Sequence, residues 1–160
     1  MQIFNQTTLK YLSSQFYQYF ERQHPISPAD AKKLIEYEIG VSAPPSDIKG
    51  IDYSSPKVQC SGTGRPTAEQ VYAIHKKIMD AENNPWNVVF DELIKLHENN
   101  QNLTSFMIMR WKSRESEQVI CSVLHIERDG FYRIQRGLLG QAAVISLEVG
   151  LTNYKSMLLT

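Results

Sequence analysis

Apolar side chains in this chain recur at intervals of three and four, and no strand-like alternation of useful length interrupts them. That spacing gathers apolar groups on one stripe of a helix, whereas a strand needs a period of two. The first stripe is Leu9, Leu12, Phe16, Tyr19 and Phe20, within Thr7 to Gln23. A second helix starts at Ser27-Pro28-Ala29-Asp30. Serine suits the N-cap there, proline the first helical position and aspartate the first turn. It runs through Leu34, Ile35 and Tyr37 to Gly40, a residue suited to stopping a helix. The expected fold class is therefore all-α, a helical bundle.

Residues 41–66 break the pattern. Ala43-Pro44-Pro45-Ser46, Lys49-Gly50, Ser54-Ser55-Pro56 and Ser61-Gly62-Thr63-Gly64-Arg65-Pro66 have the composition of a linker. A structureless stretch of this length is unusual inside a compact domain, so a flexible connector is expected. Periodicity resumes at Thr67-Ala68-Glu69-Gln70, a capping box. Val71, Ile74 and Ile78 follow at the spacing of a coiled-coil or bundle seam, a candidate oligomer or partner contact. Asn84-Pro85 restarts a helix whose apolar residues are Trp86, Val89, Phe90, Leu93 and Leu96.

The last third carries the functional signal. A short helix is expected over Leu103 to Trp111 and a second over Glu115 to Leu124. His125-Ile126 forms the turn, and a longer helix follows from Glu127 to Leu147. Two short helices, a tight turn and a longer helix make the pattern of a helix-turn-helix module. Four parts result: an N-terminal helical hairpin over 1–40, the linker over 41–66, coiled-coil-like helices over 67–102 and a helix-turn-helix domain over 103–160.

On the long helix, a rotation of about 100° per residue puts Phe131, Ile134, Leu138, Ala142 and Ile145 in one arc. Asp129, Tyr132, Arg133, Arg136 and Gly140 fall opposite. Exposed arginines near the start of such a helix are placed to fork onto a guanine edge or a phosphate. Tyr132 can donate to a phosphate, and Lys112 and Arg114 stand where they would grip the backbone beside the groove. The candidate DNA-binding set is Lys112, Arg114, Arg128, Asp129, Tyr132, Arg133 and Arg136. Net charge is zero, but residues 103–160 hold seven basic and five acidic side chains, against ten and twelve in residues 1–102. The sign of that asymmetry suits a C-terminal nucleic-acid module.

Other chemistry is poorly represented. No apolar run approaches the ~20 residues of a membrane span, and Met1 to Lys10 lacks the basic and apolar regions of a signal peptide. Cys60 and Cys121 are isolated, and His24, His75, His97 and His125 have no metal-site spacing. Gly62-Thr63-Gly64 lacks the lysine of a P-loop and the third glycine of a dinucleotide site. No paired carboxylates or nucleophile–base arrangement stands out. The expectation is a cytoplasmic protein, without membrane contact, cofactor, metal or enzymatic activity.

The phrase from Ile51 to Gly62, with Val58-Gln59-Cys60-Ser61 inside it, resembles a linker phrase of the RinA/ArpU-like late-gene regulators of phages of Gram-positive bacteria. The order that follows is similar too: a helix from Ala68 to Asn83, a second helix, then Met109-Arg110-Trp111 and a helix-turn-helix. Ile120-Cys121 matches the family's Ile-Ala pair, and Arg133-Ile134-Gln135-Arg136-Gly137-Leu138-Leu139 resembles its recognition-helix phrase. The resemblance spans 51–143 and implies a C-terminal module like sigma-factor region 4. It departs at His125, where the family has glycine, at the cap, where Glu127 and Asp129 replace serine or threonine, and at Gly137 and Gly140. A non-glycine at the turn must avoid the left-handed backbone or accept its strain. The resemblance implies a phage or prophage transcriptional regulator, an activator of late genes, with double-stranded DNA as partner. Two alternatives keep the helices and change the task. One is an antiterminator-like factor that docks on bacterial RNA polymerase, and the other is a homo-oligomeric adaptor or DNA-packaging subunit.

Overall fold

The computed structural model describes residues 4–42 and 66–152. Seven α-helices occur among them: α1 (Gln6–Arg22), α2 (Pro28–Ser42), α3 (Ala68–Glu82), α4 (Trp86–Leu96), α5 (Gln101–Met107), α6 (Glu117–Leu124) and α7 (Arg128–Glu148). A π-helical turn, Ile108–Lys112, continues α5. No strand occurs among the described residues, and the fold is all-α. None of the described helices is long and apolar enough to cross a membrane. Most of the expected linker, including the Ile51 to Gly62 phrase and Cys60, lies outside the described residues. Gly40 does not stop α2, which continues to Ser42.

Local chemistry sets the helix starts. Asn5 Oδ1 accepts from Thr8 N–H at 2.7 Å, Ser27 Oγ from Asp30 N–H at 3.1 Å and Asn100 Oδ1 from Leu103 N–H at 3.2 Å. The capping box at the head of α3 closes in both directions. Gln70 N–H donates to Thr67 Oγ1 at 3.2 Å, and Thr67 N–H donates to Gln70 Oε1 at 3.1 Å. Each such cap satisfies backbone donors that the first turn leaves orphaned. α7 ends in a Schellman motif, with Leu151 N–H on Ser146 O at 2.9 Å and Gly150 N–H on Leu147 O at 3.2 Å. Gly150 has φ of 77°, which glycine adopts without a Cβ clash.

The contacts divide the chain into two units, residues 1–24 with 82–160, and residues 25–81. In the structure α1 packs with α4, the π turn and α7. Aromatic stacking across α1 explains the choice. The Phe16 ring lies 4.5 Å from Phe90 and 4.4 Å from Trp111, both nearly parallel to it. Trp111 Nε1 donates to Ser13 Oγ at 3.0 Å, so the buried indole keeps a partner. Phe106 and Phe131 extend the same core, 5.2 Å apart.

In the smaller unit, Lys77 Nζ on α3 lies 3.8 Å from Asp30 Oδ2 on α2. Val71 and Ile74 of the expected seam are buried, and Ile78 is half-buried. Those side chains are already covered within one chain.

Tyr19, at the C-terminal end of α1, is nearly inaccessible, and its hydroxyl donates to Asp91 Oδ1 at 2.6 Å. Burial first, then the hydrogen bond and charge of Asp91, push its pKa up to about 12 from 10.0. The neutral phenol is the favoured form, so this stabilisation is complete below pH 10 and fades as pH rises towards 12. Tyr19→Phe is expected to cost about 1 kcal/mol near neutrality, the net worth of one hydrogen bond. It should also flatten the loss of stability between pH 10 and 12, read by urea unfolding at stepped pH. An unchanged alkaline slope in Tyr19→Phe would show that another group causes it.

Candidate nucleic-acid interface

α6 and α7 are joined by three residues, His125, Glu127 and Ile126 between them. His125 adopts the left-handed backbone, with φ 53° and ψ 46°, in the place where glycine is the easier residue. The His125 and Ile126 N–H groups both return to the Cys121 carbonyl, which closes the end of α6. Ser116 Oγ caps its start, accepting from Val119 N–H at 3.4 Å. Glu127 occupies the cap position of α7 without a side-chain cap bond, and Asp129 lies exposed in the first turn, favourably placed for the helix dipole.

The face that α7 turns inward is broader than the expected arc. Phe131, Leu138 and Ala142 are buried as expected, and Ile134 and Ile145 pack against the core half-buried. Leu139, Ala143 and Ser146 are buried as well. The helix touches α1, α4 and α6, so more than one stripe of it is covered. Gly140 is not on a wet face: a Cβ there would meet the Phe4 ring at 3.7 Å. Gly137 is open, with nothing within 4 Å of such a Cβ, and α7 runs unbroken through both positions. Gly137→Ala is therefore expected to stabilise the protein by about 0.5–1 kcal/mol, since alanine relieves the helical entropy penalty of glycine without meeting a neighbour. A higher urea midpoint at constant slope checks this; a lower midpoint would mean the site is not an open helical position.

The seven expected DNA contacts fall into three situations. Arg128 and Tyr132 meet at Glu117 on α6: Arg128 Nε lies 3.1 Å from Glu117 Oε1, and the Tyr132 hydroxyl donates to Oε2 at 2.6 Å. Tyr132 first, then the Glu117 charge, hold Arg128 above the usual arginine range. Tyr132 is also half-buried, edge-on to Phe131 at 5.2 Å. Arg114 has φ of 55°, pairs with Glu21 and lies 5.0 Å from the Tyr17 ring centroid. These three side chains are engaged within the protein. Lys112, Arg133 and Arg136 are exposed and form no ion pair among the described residues. Asp129, alone among the seven, carries negative charge, and it would repel a phosphate.

Arg133 and Arg136 stand beside an open groove of about 1070 Å³ between α7, α4 and the start of α1. Its wall includes Leu96 and Val144, which are 63% and 46% exposed, and two carboxylates, Glu92 and Glu148, neither within ion-pair distance of the arginines. A second groove, of about 520 Å³, lies on the other side of Arg136, against α1 and the π turn. Lys10 and Arg110 line it. Neither belongs to the expected contact set. Arg110 carried a signal in Arg110-Trp111, but Lys10 reaches the site only through long-range packing of α1.

No family model, curated protein or solved structure matches this chain. The site must therefore be read from its own geometry.

Proposed function

We propose that this protein binds double-stranded DNA through α7, as a helix-turn-helix regulator of transcription. The observation that carries the reading is the pair Arg133 and Arg136, exposed on the second and third turns of α7 with no carboxylate holding them among the described residues. Two unneutralised guanidinium groups on one helix, one turn apart, suit the bidentate recognition of base edges or phosphates. The short α6, the three-residue connection and the longer α7 support the same reading. The order of elements resembling phage late-gene regulators supports a role in transcription. The contact set narrows to Arg133, Arg136 and Lys112, because Arg114, Arg128 and Tyr132 already have partners.

Fluorescence anisotropy against labelled duplexes tiled over upstream regions of the parent genome tests this. A sequence-selective complex that weakens with salt is expected. Absence of a complex with every duplex would sink the reading.

A second reading has one observation behind it. The groove between α4 and α7 exposes Leu96 and Val144 beside the two arginines. An apolar strip with charged groups of both signs at its rim, Arg133 and Arg136 with Glu92 and Glu148, suits an amphipathic protein helix, and RNA polymerase is the partner that a region-4-like module suggests. Retention of polymerase by the immobilised protein without DNA, lost in Leu96→Asp, separates this from DNA binding. Burial of Val71 and Ile74 speaks against the α3 seam as an oligomer contact.

A further inference from the structure

The groove between α1, the π turn and α7 has an unusual charge pattern. Lys10 enters it from α1, Arg110 from the π turn and Arg136 from α7, and no aspartate or glutamate lines it. Two carboxylates stand at its border. Glu117 accepts the Tyr132 hydroxyl and holds Arg128, while Glu21 holds Arg114 beside Tyr17. Each border carboxylate is thus already matched by an arginine outside the groove lining. The three cations that line the groove form no ion pair among the described residues.

Arg110 is also held in position. Its Nε donates to Gln135 Oε1 at 2.9 Å, and its guanidinium carbon lies 5.6 Å from the Phe131 ring centroid. Its two terminal nitrogens make no hydrogen bond among the described residues. An arginine fixed at one edge with its fork unoccupied loses little freedom on binding an oxyanion. Ser14 and Tyr17 add hydroxyl groups to the same wall. A held guanidinium with ammonium and hydroxyl donors beside it and no carboxylate in the lining is the chemistry of a phosphate site.

We propose that this groove seats the phosphodiester backbone of DNA beside the α7 contact, which makes α1 part of the nucleic-acid surface. The inference rests on the DNA-binding reading above. Arg136 decides the occupant, because it lines both this groove and the one beside Arg133. A strand gripped here continues directly onto the α7 arginines, as a polyanion does and a small anion does not.

The test is the salt dependence of duplex binding by the full chain, for wild type, Lys10→Gln, Arg110→Gln and Arg110→Lys. Lys76→Gln, on the exposed side of α3, is the control. Each neutralised phosphate contributes a slope of about −0.9 to log K against log salt. Lys10→Gln and Arg110→Gln should each reduce the slope by about one and leave the preference between duplex sequences intact. Arg110→Lys should keep most of the slope, and Lys76→Gln all of it. Lys10 is exposed, so Lys10→Gln reports on binding even where Arg110→Gln disturbs the π turn. Unchanged slopes for Lys10→Gln and Arg110→Gln, in a wild type that binds DNA, overturn the groove assignment and leave α7 binding standing. A wild type that binds no duplex overturns both.

Discussion

Replacing Phe16 by alanine should remove about 3–5 kcal/mol of stability, the range for deleting a fully buried aromatic ring. Phe16 has no accessible surface, and its ring stacks at 4.5 Å on Phe90, 4.4 Å on Trp111 and 5.3 Å on Phe20. Three rings lose their neighbour at once, and the cavity lies between α1, α4 and the π turn, whose backbones cannot all close on it. A domain of this size has about 5–15 kcal/mol in total, so the variant stands near the edge of folding. Urea unfolding followed by tryptophan fluorescence reads the loss, because Trp111 lies against the deleted ring. Phe16→Leu keeps most of the volume and should lose much less, roughly 1–2 kcal/mol, through the missing ring contacts. A loss under about 1 kcal/mol in Phe16→Ala, far below the range for a packed aromatic, would mean that α1 does not complete this core. The Lys10 contribution to the groove would fall with it.

That helix shows where the sequence was readable and where it was not. Its stripe of Leu9, Leu12, Phe16, Tyr19 and Phe20 is plain from spacing; the last four are buried, and Leu9 packs half-buried against the core. Periodicity says that a face is covered; it does not say by what. The aromatic residues of α4 and the π turn, far along the chain, supply the cover. The helix starts at Ser27 and Thr67 were legible for the same local reason that they form: the side chain that caps lies within three residues of the amide it satisfies. The caps Asn5, Asn100 and Ser116 are not among the expected starts, and α5 and α6 begin at Gln101 and Glu117 rather than at Leu103 and Glu115. The π turn was not legible. Its distinguishing bond, Ser113 N–H to Ile108 O at 2.9 Å, differs from an α-helical one by one residue of register, which no residue type announces.

The site was half legible on the same terms. A helical wheel separates inward from outward positions, and it put Arg133 and Arg136 outward, where they are. It says nothing of cross-helix partners. Glu117 lies fifteen residues before Tyr132 and takes it out of the exposed set. Glu21 lies ninety-three residues before Arg114 and pairs with it, although the arginine stays exposed. Conversely Lys10, with no local signal at all, joins the groove because α1 lies against α7.

If α7 reads DNA as proposed, removal of the arginine pair should have the larger effect on binding. Arg133→Ala with Arg136→Ala is expected to lose about 2–6 kcal/mol of selectivity between cognate and unrelated duplexes, at about 1–3 kcal/mol for each specific contact. Both side chains are exposed and neither supports the core, so the double variant should unfold at nearly the wild-type urea midpoint. That separation of binding from stability is the informative feature. Arg128→Ala gives the contrast. It breaks the Glu117 pair at 3.1 Å and frees a carboxylate at the mouth of the α7 surface, so any weakening it causes should be equal for all duplexes. Selectivity lost in the double variant and kept in Arg128→Ala assigns base recognition to the second and third turns of α7. Equal binding by wild type and the double variant would mean that α7 does not read DNA, and the apolar groove beside Leu96 and Val144 would then be the surface that matters.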